Sequence, residues 1–146
     1  MRIVFDTASF ITAIRSGLGA AFELVGLMLD NQVTSLMDYK LGLEYRAVAL
    51  RAEHVKASPL SRAEILQLIE TLEGVAEAVT IRHKPRPLSS DPNDDMILDL
   101  AINGQADAIV TNNVKHFRTA AKRYGIAVVT PGELLEQMRG EFNHAG

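Results

Sequence analysis

Short apolar runs alternate along this chain with longer segments in which apolar residues recur every three or four positions. The short runs predict β-strands at residues 3–5, 33–36, 79–81, 108–110 and 126–129. The longer segments predict helices at residues 8–15, 20–29, 38–52, 61–74, 91–103, 114–124 and 131–138. Because strands and helices alternate throughout, we expect an α/β fold: a Rossmann-like, three-layer α/β/α domain with a mainly parallel sheet of about five strands.

The composition is that of an ordinary globular domain. Hydrophobic residues make up 47% and charged residues 23% of the 146 positions, which is enough for one core. We expect a single domain over residues 1–140 and a disordered tail over residues 141–146. The chain has no cysteine, which removes disulfides, thiolate metal sites and cysteine nucleophiles. No apolar stretch approaches the roughly 18 residues of a membrane span, so we expect a cytoplasmic protein without membrane contact.

The net charge of −3 argues against a protein that coats nucleic acid, because a large phosphate footprint requires a positive surface. It does not exclude a nuclease, since acids around a metal ion are neutralised by the ion. Two basic clusters are available for phosphate contacts: Arg82, His83, Lys84 and Arg86 in a proline-rich loop, and Lys115, His116, Arg118, Lys122 and Arg123 further along. A solvated surface explains each cluster equally well.

Asp6 directly follows the first predicted strand. In open α/β sheets, ligands bind beyond the carboxyl ends of the strands, so Asp6 has a favoured position for an active-site carboxylate. The alternative is that Asp6 only caps the helix that follows it.

Glu44 interrupts the apolar face of the helix predicted from residue 38. The i, i+3, i+4 and i+7 positions of that face are Leu41, Glu44, Tyr45 and Val48. An unpaired buried carboxylate is costly, so this placement requires a cation, a metal ion or the edge of a cleft. The alternative is an ion pair with Arg46 or Arg51 at the helix margin.

Asp94 lies in a similar position at the start of a later helix, where Ile97, Leu98 and Ala101 continue its face. Its neighbour Asp95 points about 100° away around the helix axis, which suits a group that supports a metal ligand rather than a ligand itself. The alternative is that these acids complement the helix dipole, which accounts well for Asp91.

An amide-rich turn, TNNVKHF at residues 111–117, follows the fourth predicted strand. Asn113 can bind a hard cation through its carbonyl oxygen, and Thr111 offers a hydroxyl beside it. Asparagine is equally common as a turn former. Together with the three acids, Asn113 would complete an all-oxygen site, which selects Mg²⁺ or Mn²⁺ and makes phosphodiester hydrolysis the natural chemistry.

These segments together resemble the PIN domains, a family of metal-dependent nucleases that includes the toxin ribonucleases of bacterial and archaeal toxin–antitoxin pairs. Asp6-Thr7 resembles the family's opening Asp-Thr, and Glu44-Tyr45 resembles its second acidic segment. Residues 91–101, with Asp94, resemble the third, and residues 109–117 resemble the last block. Two positions depart from the family pattern. Ala8-Ser9 stands where Asn-Val or Ser-Val is common, and Asn113 replaces the fourth acid, which leaves a less negative site.

The resemblance implies a Mg²⁺- or Mn²⁺-dependent endoribonuclease, the toxin of a toxin–antitoxin pair. In it, Asp6, Glu44 and Asp94 would be catalytic and would bind the metal with Asn113. Residues expected to support these ligands are Thr7, Asp95 and Thr111, and residues expected to contact RNA are Arg82, Lys84, Arg86, Lys115 and His116. The implied partners are RNA, an antitoxin protein and a second copy of the chain, the last through the apolar helix around Phe22, Val25 and Leu29.

Other protein classes fit less well. A phosphatase of the haloacid-dehalogenase type needs a second Asp two residues after the first, where this chain has Ala8. A phospho-receiver domain needs a Lys after the fifth strand, where this chain has Thr130. The remaining alternative is a catalytically silent PIN-like module that binds RNA or a protein, since Asn113 has removed one charge.

Overall fold

The computed structural model describes residues 1–86 and 91–145, excluding the side chains of Asn93 and residues 141–145. Its elements are β1 (Arg2–Phe5), α1 (Thr7–Ser16), α2 (Gly19–Leu29), β2 (Thr34–Met37), α3 (Tyr39–Ala49), α4 (Ala52–Ala57), α5 (Arg62–Val75), β3 (Glu77–Ala78), α6 (Pro92–Asn103), β4 (Ala108–Val110), α7 (Val114–Lys122), β5 (Ala127–Val129) and α8 (Pro131–Ala145). The predicted α/β alternation is therefore confirmed.

The five strands form one sheet in the order β3-β2-β1-β4-β5, and every neighbouring pair is parallel. The central strand β1 contributes Ile3, Val4 and Phe5, each at most 1% exposed. Successive residues of a strand point to opposite faces, so both faces of the sheet are covered. This confirms the three-layer α/β/α arrangement.

Capping interactions define where two of the helices begin. The Asp38 carboxylate accepts a hydrogen bond of 2.9 Å from the backbone N–H of Leu41 at the start of α3. At the start of α5, Ser61 and Glu64 form both hydrogen bonds of the predicted capping box. Local side-chain chemistry therefore fixes the start of α3, the helix that carries Glu44.

The third strand differs from its predicted position at residues 79–81. It comprises only Glu77 and Ala78, which pair with Leu36 and Met37 at the end of β2. Because β2 ends where Asp38 caps α3, the chain has little strand to pair with beyond Ala78. The apolar residues Val79 and Ile81 still pack against the core, and the last hydrogen bond to β2 is donated by the Val79 N–H to the Met37 carbonyl at 2.9 Å.

The helix predicted over residues 38–52 ends earlier, at Ala49. Arg51 has an extended backbone, with φ −61° and ψ 141°, and this break separates α3 from the short helix α4, which was not predicted. The last helix continues to Ala145 rather than ending at residue 138. The disordered tail expected over residues 141–146 stays a prediction, although the helical backbone includes most of that segment.

In the described ranges no single helix is long and apolar enough to cross a membrane, although α1 and α2 would pass as a pair bent by 104°. The two helices supply core residues such as Phe10, Ile14, Leu24 and Met28, each at most 1% exposed. Helix α1 packs against α3 as well as α2. It thereby links the first strand to the helix that carries Glu44.

Candidate active site

The candidate site lies where the direction of the strand order reverses. In the sheet, β1 has β2 on one side and β4 on the other, so the chain continues in opposite directions from β1 and from β4. At such a reversal of strand order, the carboxyl ends of the two neighbouring strands, here β1 and β4, border a crevice. Asp6 follows β1 and Thr111 follows β4, while α3 carries Glu44 and the first turn of α6 carries Asp94.

Asp6 and Thr111 are joined directly across this crevice. The buried Thr111 hydroxyl donates a hydrogen bond of 2.9 Å to Asp6 Oδ2 and accepts one of 2.9 Å from the backbone N–H of Asn113. The Asp6 backbone N–H also donates to the Val110 carbonyl at 3.0 Å. Asp6 occupies the N-cap position of α1 but makes no side-chain capping bond. The alternative that Asp6 serves only as a helix cap is therefore disfavoured.

Burial raises the pKa of Asp6 above its usual value. The hydrogen bond from Thr111 and the nearby amides of Thr7 and Ala8 act in the opposite direction, as does the charge of His116. Because burial outweighs these effects, the ionised form of Asp6 is under-stabilised in the protein as it stands. A positive charge in the crevice would correct this.

Glu44 is half-buried at the edge of the buried face formed by Leu41 and Tyr45. Burial raises its pKa, and the charges of Asp6 and Asp91 raise it further. The Thr7 hydroxyl has no hydrogen-bond partner by distance and angle, yet it lies near enough to favour ionised Glu44.

The alternative for Glu44 was a structural ion pair. Arg46 instead pairs with Glu73, with an N–O distance of 2.6 Å. Among the described residues, Glu44 forms no ion pair with Arg46 or Arg51. Its position on the apolar face is therefore not explained by a neighbouring arginine.

Asp94 follows the same pattern at the start of α6. Burial raises its pKa first, and the charges of Asp91 and Asp6 add to the effect, while His116 lowers it. A helix N-terminus by itself stabilises a carboxylate and would lower its pKa, so burial and the neighbouring acids act against the helix dipole here. The contact with His116 is an N–O distance of 3.6 Å between Nδ1 and Oδ2.

Asp91 was explained from the sequence as an acid that complements the helix dipole, and no role in the site was predicted for it. Its charge raises the pKa of both Glu44 and Asp94, so it belongs to the same negative field. The signal was present in the sequence, because Asp91 and Asp94 are only three residues apart at the start of the predicted helix.

The chemistry of these acids fits a hard divalent cation, because they are carboxylates, and the charges of Asp6 and Asp91 raise the pKa values of Glu44 and Asp94. Within residues 1–86 and 91–145, however, no group of three or more His, Cys, Asp or Glu side chains is arranged to hold a metal ion. The structure thus brings Asp6, Glu44 and Asp94 into electrostatic range without forming a closed ligand cage. Side-chain movement would have to complete one.

Asn113 is exposed, and its described link to the site is through its backbone, which donates to Thr111 Oγ1. It precedes α7 but makes no side-chain capping bond. The neighbouring Asn112 backbone N–H donates to Ser9 Oγ at 3.1 Å. The turn is therefore held by two hydroxyl groups, and a metal contact by Asn113 stays a prediction.

The basic residues divide into two groups. Arg86 donates two hydrogen bonds of 3.0 Å to the buried carboxylate of Asp99 and lies 3.7 Å from Asp95. Arg82 and Lys84 are exposed, as are Lys115 and His116 on α7. Arg86, which was predicted to contact RNA, is thus paired with two carboxylates of α6, those of Asp99 and Asp95.

Asn103 completes this attachment of the loop to α6. Its side-chain oxygen accepts from the backbone N–H groups of Arg82 and His83, and its amide donates to the His83 carbonyl. The described part of the basic loop is thereby fixed on the helix that carries Asp94.

Comparison with known proteins agrees with this arrangement. No curated protein matches the chain significantly. Among solved structures, one similar chain comes from VapBC2 of Rickettsia felis, determined bound to a DNA fragment from the promoter. It is 18% identical, with a TM-score of 0.55 over 88% of this chain and 97% of that chain, a likeness that shows the fold. The PIN-domain family profile matches residues 2–115, which span every acid discussed above. The chain therefore belongs to the PIN-domain family.

Proposed function

We propose that this protein is a metal-dependent endoribonuclease. The observation that carries the proposal is the position of Asp6 at the carboxyl end of β1, where it is hydrogen-bonded to Thr111 beyond β4 and lies within electrostatic range of Glu44 and Asp94. Uncompensated carboxylates in a cleft of an open α/β sheet mark a functional site. Divalent metal ions are general cofactors of PIN domains.

Asp6, Glu44 and Asp94 would hold the ion, which we propose to be Mg²⁺ or Mn²⁺, with Asn113 nearby. When bound, such an ion supplies a Lewis acid that activates water and offsets the charge developing on a phosphodiester. The hydroxyl of Thr111 orients Asp6, and Thr7 favours ionised Glu44. His116 lies beside Asp94 at the solvent edge, where its ring can meet a phosphate as the strand enters.

For binding partners, we propose RNA as substrate and an antitoxin protein as regulator, in a cytoplasmic toxin–antitoxin pair. The first rests on the exposed cation Lys115, next to His116 on α7, and on Arg82 and Lys84 in the basic loop, and the second rests on the likeness to VapBC2. We also propose a homodimer through α2. Its Phe22 is 40% exposed, whereas Val25, which we had expected to share this role, is 3% exposed and belongs to the core.

The test is cleavage of single-stranded RNA and matched DNA by the purified protein with Mg²⁺ or Mn²⁺, with and without a chelator. We expect RNA cleavage that stops with the chelator and falls by orders of magnitude in Asp6→Asn. Asp30→Asn is the matched control, because Asp30 precedes β2 and so lies toward the amino ends of the parallel strands, whereas Asp6 follows the carboxyl end of β1. Cleavage that persists in the chelator would contradict the mechanism.

The alternative is a silent module that binds RNA or a protein. Two observations favour it: Asn113 replaces an acid, and the described acids do not form a closed metal site. A calorimetric titration with Mn²⁺ separates the two functions. An active nuclease binds the ion, and binding tightens when a non-cleavable RNA is present; a silent module shows neither effect.

A further inference from the structure

Tyr45 connects the elements that carry the first two acids. It follows Glu44 on α3 and is 1% exposed. Its hydroxyl donates a hydrogen bond to the carbonyl oxygen of Phe5, which belongs to the peptide bond that leads into Asp6. One residue therefore touches the backbone at Asp6 and is covalently adjacent to Glu44.

The ring of Tyr45 adds a second connection. It stacks on Phe10 of α1 with a centroid distance of 4.5 Å and an interplanar angle of 15°. The backbone N–H of Phe10 in turn donates to the Asp6 carbonyl at 3.0 Å. Tyr45 thus contacts the backbone on both sides of Asp6: directly at the Phe5 carbonyl before it, and through Phe10 at the Asp6 carbonyl after it.

This connection opposes a force that the site itself creates. Asp6 and Glu44 repel each other when ionised, and the repulsion favours movement of α3 away from β1. A hydrogen bond resists such movement because it is directional, whereas apolar packing tolerates small shifts. The Tyr45 hydroxyl is completely enclosed in the protein, so water does not compete with it for the Phe5 carbonyl.

We propose that Tyr45 is a positioning residue that fixes Glu44 relative to Asp6 through the Phe5 carbonyl, so that both carboxylates are ready to share one divalent cation. The inference rests on the proposed function for the identity of the ligand. It goes further in assigning a role to a residue that lies outside the ligand set and touches neither metal nor substrate.

The test compares Tyr45→Phe with Ser58→Ala. Tyr45→Phe keeps the stacked ring and removes only the hydroxyl. The Ser58 hydroxyl likewise donates to a backbone carbonyl, that of Ile14, and it also accepts from the Leu60 N–H, so its loss is a control of at least comparable cost. Both variants should unfold at a temperature a few degrees lower, about 2–4 °C for one lost hydrogen bond.

Only Tyr45→Phe should alter the site. We expect its Mn²⁺ affinity, measured by calorimetry, to fall about tenfold or more, as for other groups that orient metal ligands. We expect kcat to fall with it while KM for RNA changes little. Hydrogen exchange at the Asp6 amide, measured without metal, should be faster in Tyr45→Phe and unchanged in Ser58→Ala.

The outcomes separate this inference from the proposed function. If the unmodified protein binds Mn²⁺ and cleaves RNA while Tyr45→Phe matches it in affinity and exchange, the positioning role is wrong and the nuclease stands. If the unmodified protein neither binds Mn²⁺ nor cleaves RNA, the nuclease proposal and the metal-positioning role both fail. Faster exchange at Asp6 would then show only that Tyr45 fixes the strand end.

Discussion

Replacing Thr111 with Val tests the hydrogen bond on which the position of Asp6 depends. The two side chains have nearly the same shape, and Thr111 is completely buried, so packing is kept while the hydroxyl is lost. The change removes a 2.9 Å bond to the Asp6 carboxylate and a 2.9 Å bond from the Asn113 N–H. The first involves a charged group and the second does not, so the expected loss is about 1.5–3 plus about 1 kcal/mol.

The sum, about 2.5–4 kcal/mol, lowers the melting temperature of a domain of this size by roughly 5–15 °C. Thr111→Ser keeps the hydroxyl and serves as the matched control, with a much smaller loss. Both variants are measured by thermal unfolding followed by circular dichroism, without metal, at pH 7 and near pH 4.

The pH dependence makes the test specific. The bond lowers the pKa of Asp6 relative to what burial alone would give, so its contribution is largest where Asp6 is ionised. As pH falls through the raised pKa of Asp6 the carboxyl becomes neutral, and a bond to a neutral group is about half as strong. The loss caused by Thr111→Val should therefore be larger at pH 7 than near pH 4. An equal loss at both values would show that the hydroxyl does not stabilise the ionised carboxylate.

Four further predictions follow from the charges and contacts of the site. Replacing Asp6, Glu44 or Asp94 with its amide should abolish cleavage. The melting temperature of the metal-free protein at pH 7 should stay the same or rise, because repulsion between the carboxylates is relieved. For Glu44→Gln, a large loss of stability with intact activity would restore the ion-pair explanation. Because the acids have raised pKa values, the metal-free protein should gain stability as pH falls from 7 toward about 5, and added Mn²⁺ should abolish this trend; a flat profile would argue against crowding. Asn113→Asp should tighten Mn²⁺ binding to the free protein in a calorimetric titration, and unchanged affinity would remove this residue from the site. Arg86→Gln should lower the melting temperature, because Asp99 loses its ion-pair partner, and should leave the salt dependence of RNA binding unchanged. Arg82→Gln should reduce that salt dependence and leave the melting temperature unchanged. The reverse result would make Arg86 the RNA contact.

The sequence was most informative where a residue violated the pattern of its own element. Glu44 and Asp94 stand on faces that are otherwise apolar, and those neighbours are buried as predicted: Tyr45 is 1% and Leu98 0% exposed. A polar residue on a buried helix face can be recognised from about two helical turns of sequence, because the spacing of the neighbouring apolar residues is enough to identify the face. The fold class was predictable for the same reason, since alternating periods along the chain leave few arrangements of the sheet.

The features that could not be predicted from the sequence are contacts between residues that are distant along the chain. The third strand ends where its neighbour β2 ends, and no property of residues 79–81 reveals that limit. Arg86 looked like a free cation because its partner Asp99 lies on the next helix. The hydroxyl of Tyr45 meets the Phe5 carbonyl across 40 positions, so its role became visible only with the fold.

The position of β1 has a consequence for the time at which the site can exist. The central strand β1 is synthesised well before its neighbour β4, since Asp6 and Thr111 meet across 105 positions of chain. Contacts of such high sequence separation form late in folding. On the ribosome, Asp6 and Glu44 emerge long before the strand that completes their crevice. A nascent chain therefore carries the acids but no assembled site until β4 has left the exit tunnel.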